Sequence, residues 1–102
     1  MYSVQVSELA NQDLDKIISY IAVQLANPSA ASRLLGEIEK CYTFLESNPE
    51  IYEICTDSSL AKENYRKAVI KNYVLIYKIV ESEKTVIVLR FFYGARNYAR
   101  LI

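Results

Sequence analysis

Side chains that could bind a phosphate or a protein are concentrated at the end of the sequence. The stretch Lys84–Ile102 begins as an apolar, β-branched run and ends with aromatics and arginines around Gly94. A guanidinium fork fits a phosphate, and a tyrosine ring can stack on an unpaired base. Arg96, Tyr98 and Arg100 supply these groups. The composition predicts either a chemical site at the rim of a sheet or a surface that binds phosphate or a partner.

Rare and absent residue types exclude other kinds of chemistry. The chain has no histidine, which excludes histidine-based acid–base catalysis and argues against a zinc site. Cys41 and Cys55 form no CxxC motif, so we expect structural thiols and, in a reducing compartment, no disulfide. We therefore expect no metal and no cofactor.

Charge is distributed unevenly along a chain whose formal net charge is zero. Residues 1–60 hold three basic and nine acidic side chains, whereas residues 61–102 hold nine basic and three acidic ones. The basic half is a candidate for binding nucleic acid or an acidic partner protein. The alternative is that these charges only solvate the outer faces of strands.

Length and hydropathy define the class of protein. A chain of 102 residues fits one domain, residues 1–102, with a single core. No apolar run reaches the roughly 18 residues of a membrane span, and the N-terminus lacks the pattern of a signal peptide. We therefore expect a cytoplasmic protein that makes no membrane contact.

The first half of the chain predicts a strand and two helices. Residues 2–6 alternate like a strand, and Ser7 can cap a helix to about Ala26. Asn27 and Pro28 can begin a second helix, over about residues 29–47. The short link predicts an antiparallel helical hairpin. The apolar stripes expected to face the core are Leu14, Ile17, Ile18, Ile21 and Leu25 in the first helix, and Ala31, Leu34, Leu35, Ile38, Tyr42 and Leu45 in the second.

The second half predicts a loop and a meander of three strands. Residues 50–64 have weak periodicity and read as a loop with one short helical turn, which Ile51, Ile54 and Leu60 could attach to the core. Strands follow over residues 65–70, 73–80 and 85–92, the last of them central. The order predicts an α+β fold with an N-terminal strand, a three-stranded antiparallel meander and the hairpin packed on one face of the sheet.

Strict alternation in the last strand sorts its side chains into two apolar faces. Ile87, Leu89, Phe91 and Tyr93 would oppose Val86, Val88, Arg90 and Phe92. Because one hairpin covers only one face, the second face is expected to be a cleft floor or a docking surface. Arg90 should face a cleft or pair with an acid such as Glu37 or Glu39, because an unpaired buried charge is costly.

Several segments in this order resemble the RelE/ParE superfamily of type II toxin–antitoxin toxins. These are the N-terminal strand and hairpin, then Tyr65-Arg66-Lys67, Asn72-Tyr73-Val74-Leu75-Ile76-Tyr77, Val88-Leu89-Arg90 and Tyr93-Gly94-Ala95-Arg96-Asn97-Tyr98. The resemblance implies a growth-inhibiting toxin, of the kind associated with plasmid stabilisation. A cognate antitoxin would neutralise it by wrapping it with an extended or helical segment.

The resemblance leaves the target of the toxin open. RelE-like toxins cleave messenger RNA in the ribosomal A site, whereas ParE-like toxins inhibit DNA gyrase without nuclease residues. A decayed toxin that only binds its antitoxin is a third possibility. RNA cleavage without histidine would need lysine, arginine and tyrosine to move protons and to surround the phosphorane with cations. We expect a messenger RNA endonuclease, with gyrase inhibition as the alternative.

Carrying the pattern over position by position gives candidate site residues. The resemblance implies catalytic roles for Arg66, Arg96 and Tyr98. The residues expected to bind RNA or another target are Lys67, Lys71, Arg90 and Arg100. Two positions depart from the RelE-like pattern, because Val74 stands where an arginine is expected and Ala68 where a second lysine is expected.

Overall fold

A computed structural model describes residues 1–94 and gives the α+β fold that the sequence predicts. Arg96, Tyr98 and Arg100 lie outside the described residues. The strands are β1 (Ser3–Val6), β2 (Arg66–Ile70), β3 (Tyr73–Val80) and β4 (Thr85–Tyr93), and the helices are α1 (Glu8–Ser19), α2 (Pro28–Ser47) and α3 (Ser58–Lys62). A π-helical turn, Tyr20–Gln24, extends α1, and a 3-10 turn, Glu81–Glu83, joins β3 to β4. No helix of residues 1–94 is long and apolar enough to cross a membrane.

The four strands form one mixed sheet in the order β1-β4-β3-β2. β2, β3 and β4 are antiparallel, as a meander requires, and β4 lies inside the sheet as predicted. β1 pairs with β4 in parallel, with Ser3 opposite Thr85. The helical hairpin therefore forms the long crossover that a parallel pair requires.

The predicted helix starts are confirmed by their caps. Ser7 Oγ accepts a hydrogen bond from Ala10 N at 3.0 Å, and Asn27 Oδ1 accepts one from Ala30 N at 3.1 Å. Pro28 occupies the first turn of α2, where its missing N–H leaves no intrahelical bond unmade. These bonds satisfy N–H groups that the helices cannot satisfy themselves.

The apolar stripe of the first helix ends earlier than predicted. Leu25 N donates to Tyr20 O at 3.0 Å, the i to i+5 bond of a π turn. The wider turn displaces the side chain from the i, i+4 row that includes Ile21, so Leu25 is 56% exposed and not in the core. The second stripe is largely confirmed, because Ala31, Leu34, Ile38 and Leu45 are buried.

A β-bulge overturns the predicted side-chain faces of β4. Ile76 pairs with Arg90 but Tyr77 pairs with Val88, so one extra residue, Leu89, is inserted in β4. Two residues then oppose one, and the alternation changes sides at the bulge. Phe91 consequently joins Val86 and Val88 in the core beneath the helices, and does not lie opposite them.

The second face of the sheet is covered where the sequence predicted an open surface. Val74, Ile76 and Phe92 are buried there in a second core, together with Cys55 and Leu60 from the segment that carries α3. The apolar face is buried by the chain's own loop because apolar surface is driven out of water. Leu60 attaches this loop as expected, but Ile51 and Ile54 are exposed, so that part of the prediction was wrong.

The two cysteines are buried, free thiols, as expected of structural residues. Burial raises the pKa of the Cys41 thiol and that of the Cys55 thiol. A raised thiol pKa lowers the fraction of reactive thiolate.

Candidate functional site

Arg66 lies on the helix-facing side of β2 and holds the chain that leads to α3. Its Nη1 atom donates to Tyr52 O at 2.7 Å and to Glu50 O at 3.5 Å. Tyr77 Oη reinforces the same segment by donating to Pro49 O at 2.7 Å. The structure therefore gives Arg66 a role in anchoring a loop, on the face opposite Lys67.

Arg90 is paired with an acid, but the acid is Asp13 of α1 and not Glu37 or Glu39. Nε and Nη2 of the guanidinium donate to the two Asp13 oxygens at 2.7 and 3.0 Å. Asp13 Oδ2 also accepts from Phe91 N at 3.0 Å. The hydrogen bond with Asp13 raises the pKa of Arg90. The guanidinium carbon lies 4.7 Å from the centroid of the Phe92 ring.

The register of the sheet places Lys67 and Arg90 on the same row of the second face. Lys67 pairs with Ile76 on β3, and Ile76 pairs with Arg90 on β4. With strands about 4.8 Å apart, the backbones of the two cations are about 10 Å apart across the sheet. The next row holds Val69, Val74 and Phe92 and is apolar.

Lys67 and Lys71 meet at a groove of about 390 Å³ at the end of the sheet. Val74 and Tyr93 also line this groove, which we call the lysine groove. Lys71 occupies the predicted tight turn with a φ of 54°, which turns the chain sharply between β2 and β3. The structure thus brings together two of the four predicted binding residues, Lys67 and Lys71.

Gly94 closes one end of the lysine groove. Its N–H donates to Asn72 O at 2.8 Å. A Cβ atom at this position would lie 3.2 Å from the same oxygen, which is tighter than ordinary contact. The close approach of the two backbones therefore favours glycine here.

The two departures from the RelE-like pattern have structural explanations. Ala68 is fully buried in the core beneath the helices, where a lysine would have to be desolvated. Val74 is buried in the second core beside Phe92. Ala68 could not be replaced by a lysine without repacking the core, whereas Val74 borders the lysine groove and contributes an apolar surface to it.

Asp13 is a site residue that the sequence analysis did not identify. A signal was present, because Asp13 is four residues before Ile17 and so lies along the buried side of α1. Within residues 1–94, no group of three or more potential metal ligands is close enough to hold an ion. The described part of the site can bind anionic groups through lysine, whereas Arg66 and Arg90 are engaged within the fold.

The chain is similar to known proteins both in family and in structure. The family model for the ParE toxin of the type II toxin–antitoxin system parDE matches residues 4–98. A chain of the chromosomal ParDE system from P. aeruginosa superposes with a TM-score of 0.68 at 19% identity, over 89% of this chain and 94% of the other. A chain of the RelBE2 toxin–antitoxin complex from Mycobacterium tuberculosis gives 0.64 at 23% identity, over 93% of each chain. No curated protein sequence matches significantly.

Proposed function

We infer that this chain, which belongs to the ParE toxin family of type II toxin–antitoxin systems, arrests growth by binding DNA gyrase and not by cutting RNA. It is a type II toxin with an antitoxin as its partner, and the gyrase target is our proposal. This function implies that the protein acts in the cytoplasm, because gyrase and a cognate antitoxin would be present there.

The observation that carries the proposal is the engagement within the fold of Arg66, a candidate catalytic residue, and of Arg90, a candidate binding residue. Cleavage by the 2′-OH requires preorganised cations that face a developing phosphorane. Arg66 instead donates to backbone carbonyls, and Arg90 pairs with Asp13 through two bonds. Val74, at the position expected to carry an arginine, is buried. Toxicity through protein binding needs none of these three positions to supply a catalytic group.

The lysine groove supports a role in binding. Lys67 and Lys71 line it, and within the described chain no carboxylate does. Such a surface complements carboxylates on a partner protein and adds to the basic character of the second half of the sequence. The same groove is the feature that favours RNA, because lysines also bind phosphate, and it keeps messenger RNA cleavage as the second candidate.

Two assays with the purified chain separate these functions. We expect inhibition of gyrase-dependent DNA supercoiling by the protein, and no new 5′ ends in primer extension on translated message. The double variant Lys67→Glu, Lys71→Glu should inhibit gyrase more weakly. The control Lys62→Glu, at an exposed position of α3, should inhibit it as the wild type does. New 5′ ends together with unaffected supercoiling would refute the proposal in favour of an endonuclease. Normal growth during expression without antitoxin would indicate a decayed toxin.

A further inference from the structure

The outer edge of β1 carries backbone groups that the fold does not use. In the described part of the chain, β1 has a neighbouring strand on one side only, which is β4. Ser3 N and Ser7 N both donate to β4 carbonyls, at 3.0 and 2.9 Å. Because backbone groups alternate in direction along a strand, those of Val4 and Val6 face away from β4. Within residues 1–94, these outward groups of Val4 and Val6 make no hydrogen bond.

The opposite edge of the sheet is protected in ways that the β1 edge is not. At β2, Lys67 N donates to Glu53 O at 3.2 Å and Tyr65 O accepts from Cys55 N at 2.8 Å, so the loop before α3 covers the start of that edge. Covering loops and charged side chains are common means of preventing sheets from pairing edge to edge. β1 has the sequence SVQV, which contains no charge and no proline, and its register has no bulge. The β1 edge is therefore open to another strand.

The ends of β1 determine how a second strand could pair with it. Tyr2 N is bonded to Glu46 O at 2.8 Å, so the end of α2 lies beside Tyr2. Pairing is thereby confined to Val4 and Val6, and an antiparallel copy of β1 meets both when Gln5 lies on a twofold axis. Each Val4 then exchanges two N–H···O bonds with Val6 of the other copy. The chain turns into α1 directly after Ser7 and leaves the ladder before it reaches the end of α2.

The side chains of this register are self-complementary. The two Gln5 residues would face each other as a non-hydrogen-bonded pair with Cα atoms about 4.5 Å apart. A carboxamide is both donor and acceptor, so two of them can bond across the axis. Only serine, valine and glutamine are brought together, and no like charges oppose each other. The same pairing at β2, centred on Val69, would set Lys67 against Lys71 of the other copy.

We propose that two copies of this chain pair through β1, antiparallel about Gln5, and join two four-stranded sheets into one continuous sheet. Both copies use the same surface, so association ends at the dimer. Pairing also covers apolar surface of Val4 and Val6, which are only partly buried against the core of one copy. A contact between two short strands is small, so the dimer dissociates on dilution. This inference does not depend on gyrase being the target.

Cysteine cross-linking tests the register directly. In Gln5→Cys, the two Cα atoms would be about 4.5 Å apart, within the range that a disulfide spans. Ser3→Cys is the matched control, because Ser3 is exposed on the same face but the two copies of it would be about 14 Å apart. Cys41 and Cys55 are buried and should not compete. After mild oxidation, non-reducing electrophoresis should show a covalent dimer of Gln5→Cys and a monomer of Ser3→Cys.

Sedimentation equilibrium measures the association without a cross-link. The apparent mass of the wild type should rise from 11.7 kDa towards twice that value as its concentration increases. Gln5→Lys sets two ammonium groups against each other on the axis and should raise the dissociation constant roughly fivefold. Val69→Lys is the control, because it adds the same charge at an exposed position of the other edge strand. It should dimerise as the wild type does, and circular dichroism checks that every variant folds.

Four results would overturn the inference. The first is a wild type that stays at 11.7 kDa at every concentration. The second is equal cross-linking of Ser3→Cys and Gln5→Cys. The third is equal weakening of the dimer by Val69→Lys and Gln5→Lys, which would move the contact to β2. The fourth is a monomeric wild type whose binding to the product of the adjacent gene is weakened by Gln5→Lys, which would assign the β1 edge to that protein.

Discussion

Removal of the Asp13 carboxylate should destabilise the connection between α1 and the end of β4. In Asp13→Ala, Arg90 loses its bidentate counter-charge and Phe91 N loses its acceptor. Breaking a fully buried ion pair costs about 3 to 5 kcal/mol. Because the Arg90 and Asp13 side chains are 22% and 15% exposed, water recovers part of this. We expect a loss of about 2 kcal/mol in the free energy of unfolding.

The measurement is urea unfolding followed by circular dichroism, with the slope of the transition compared between variants. A loss of this size should also lower Tm by roughly 10 °C in a domain of this length. Asp15→Ala is the matched control, because Asp15 is exposed on the same helix; its effect should stay within about 0.5 kcal/mol. If Asp13→Ala unfolds at the same urea concentration as Asp15→Ala, the hydrogen bonds of Asp13 with Arg90 and Phe91 contribute nothing to stability and the reasoning fails.

Two further predictions concern the second core and the tyrosines. Leu60→Ala should lower the free energy of unfolding by about 2 to 4 kcal/mol because it leaves a cavity beneath α3, whereas exposed Ile51→Ala should cost under about 1 kcal/mol in the same urea titration. Burial raises the pKa of Tyr42 and that of Tyr52 to about 12 from 10.0. The unfolded chain therefore releases these protons first as pH rises, so stability should fall between pH 10 and 12. Urea titration at each pH gives the free energy of unfolding, and ultraviolet absorbance reports the ionisation of the tyrosines. A free energy of unfolding that stays constant across this interval would contradict the burial of Tyr42 and Tyr52.

Local chemistry made much of the fold predictable. Ser7, Asn27 and Pro28 are helix-start residues whose effect depends on bonds within a few positions, so the hairpin followed from the sequence. A run of apolar and aromatic residues likewise located β3, whose bounds are those predicted, Tyr73–Val80. These features depend on neighbours in the chain and little on the rest of the molecule.

Features that depend on tertiary packing were not predictable. The π turn at Tyr20 and the bulge at Leu89 change a side chain's direction without a distinctive residue type. The pairing of Arg90 with Asp13 joins positions 77 residues apart. An acid was expected there on energetic grounds, but nothing in the sequence distinguishes Asp13 from the other acids until α1 is placed beside β4.

The parallel pairing of β1 with β4 has a consequence for the order of events during synthesis. β1 is the first strand to leave the ribosome, yet its partners are Thr85 to Val88. The long loop between β1 and β4 closes slowly, because the entropy of closing it is lost before the two strands gain any contact. Until those residues emerge, β1 has no strand to pair with, and the hairpin can cover only the pair formed by β2 and β3. The complete four-stranded sheet can therefore form only after nearly all of the described chain has been synthesised.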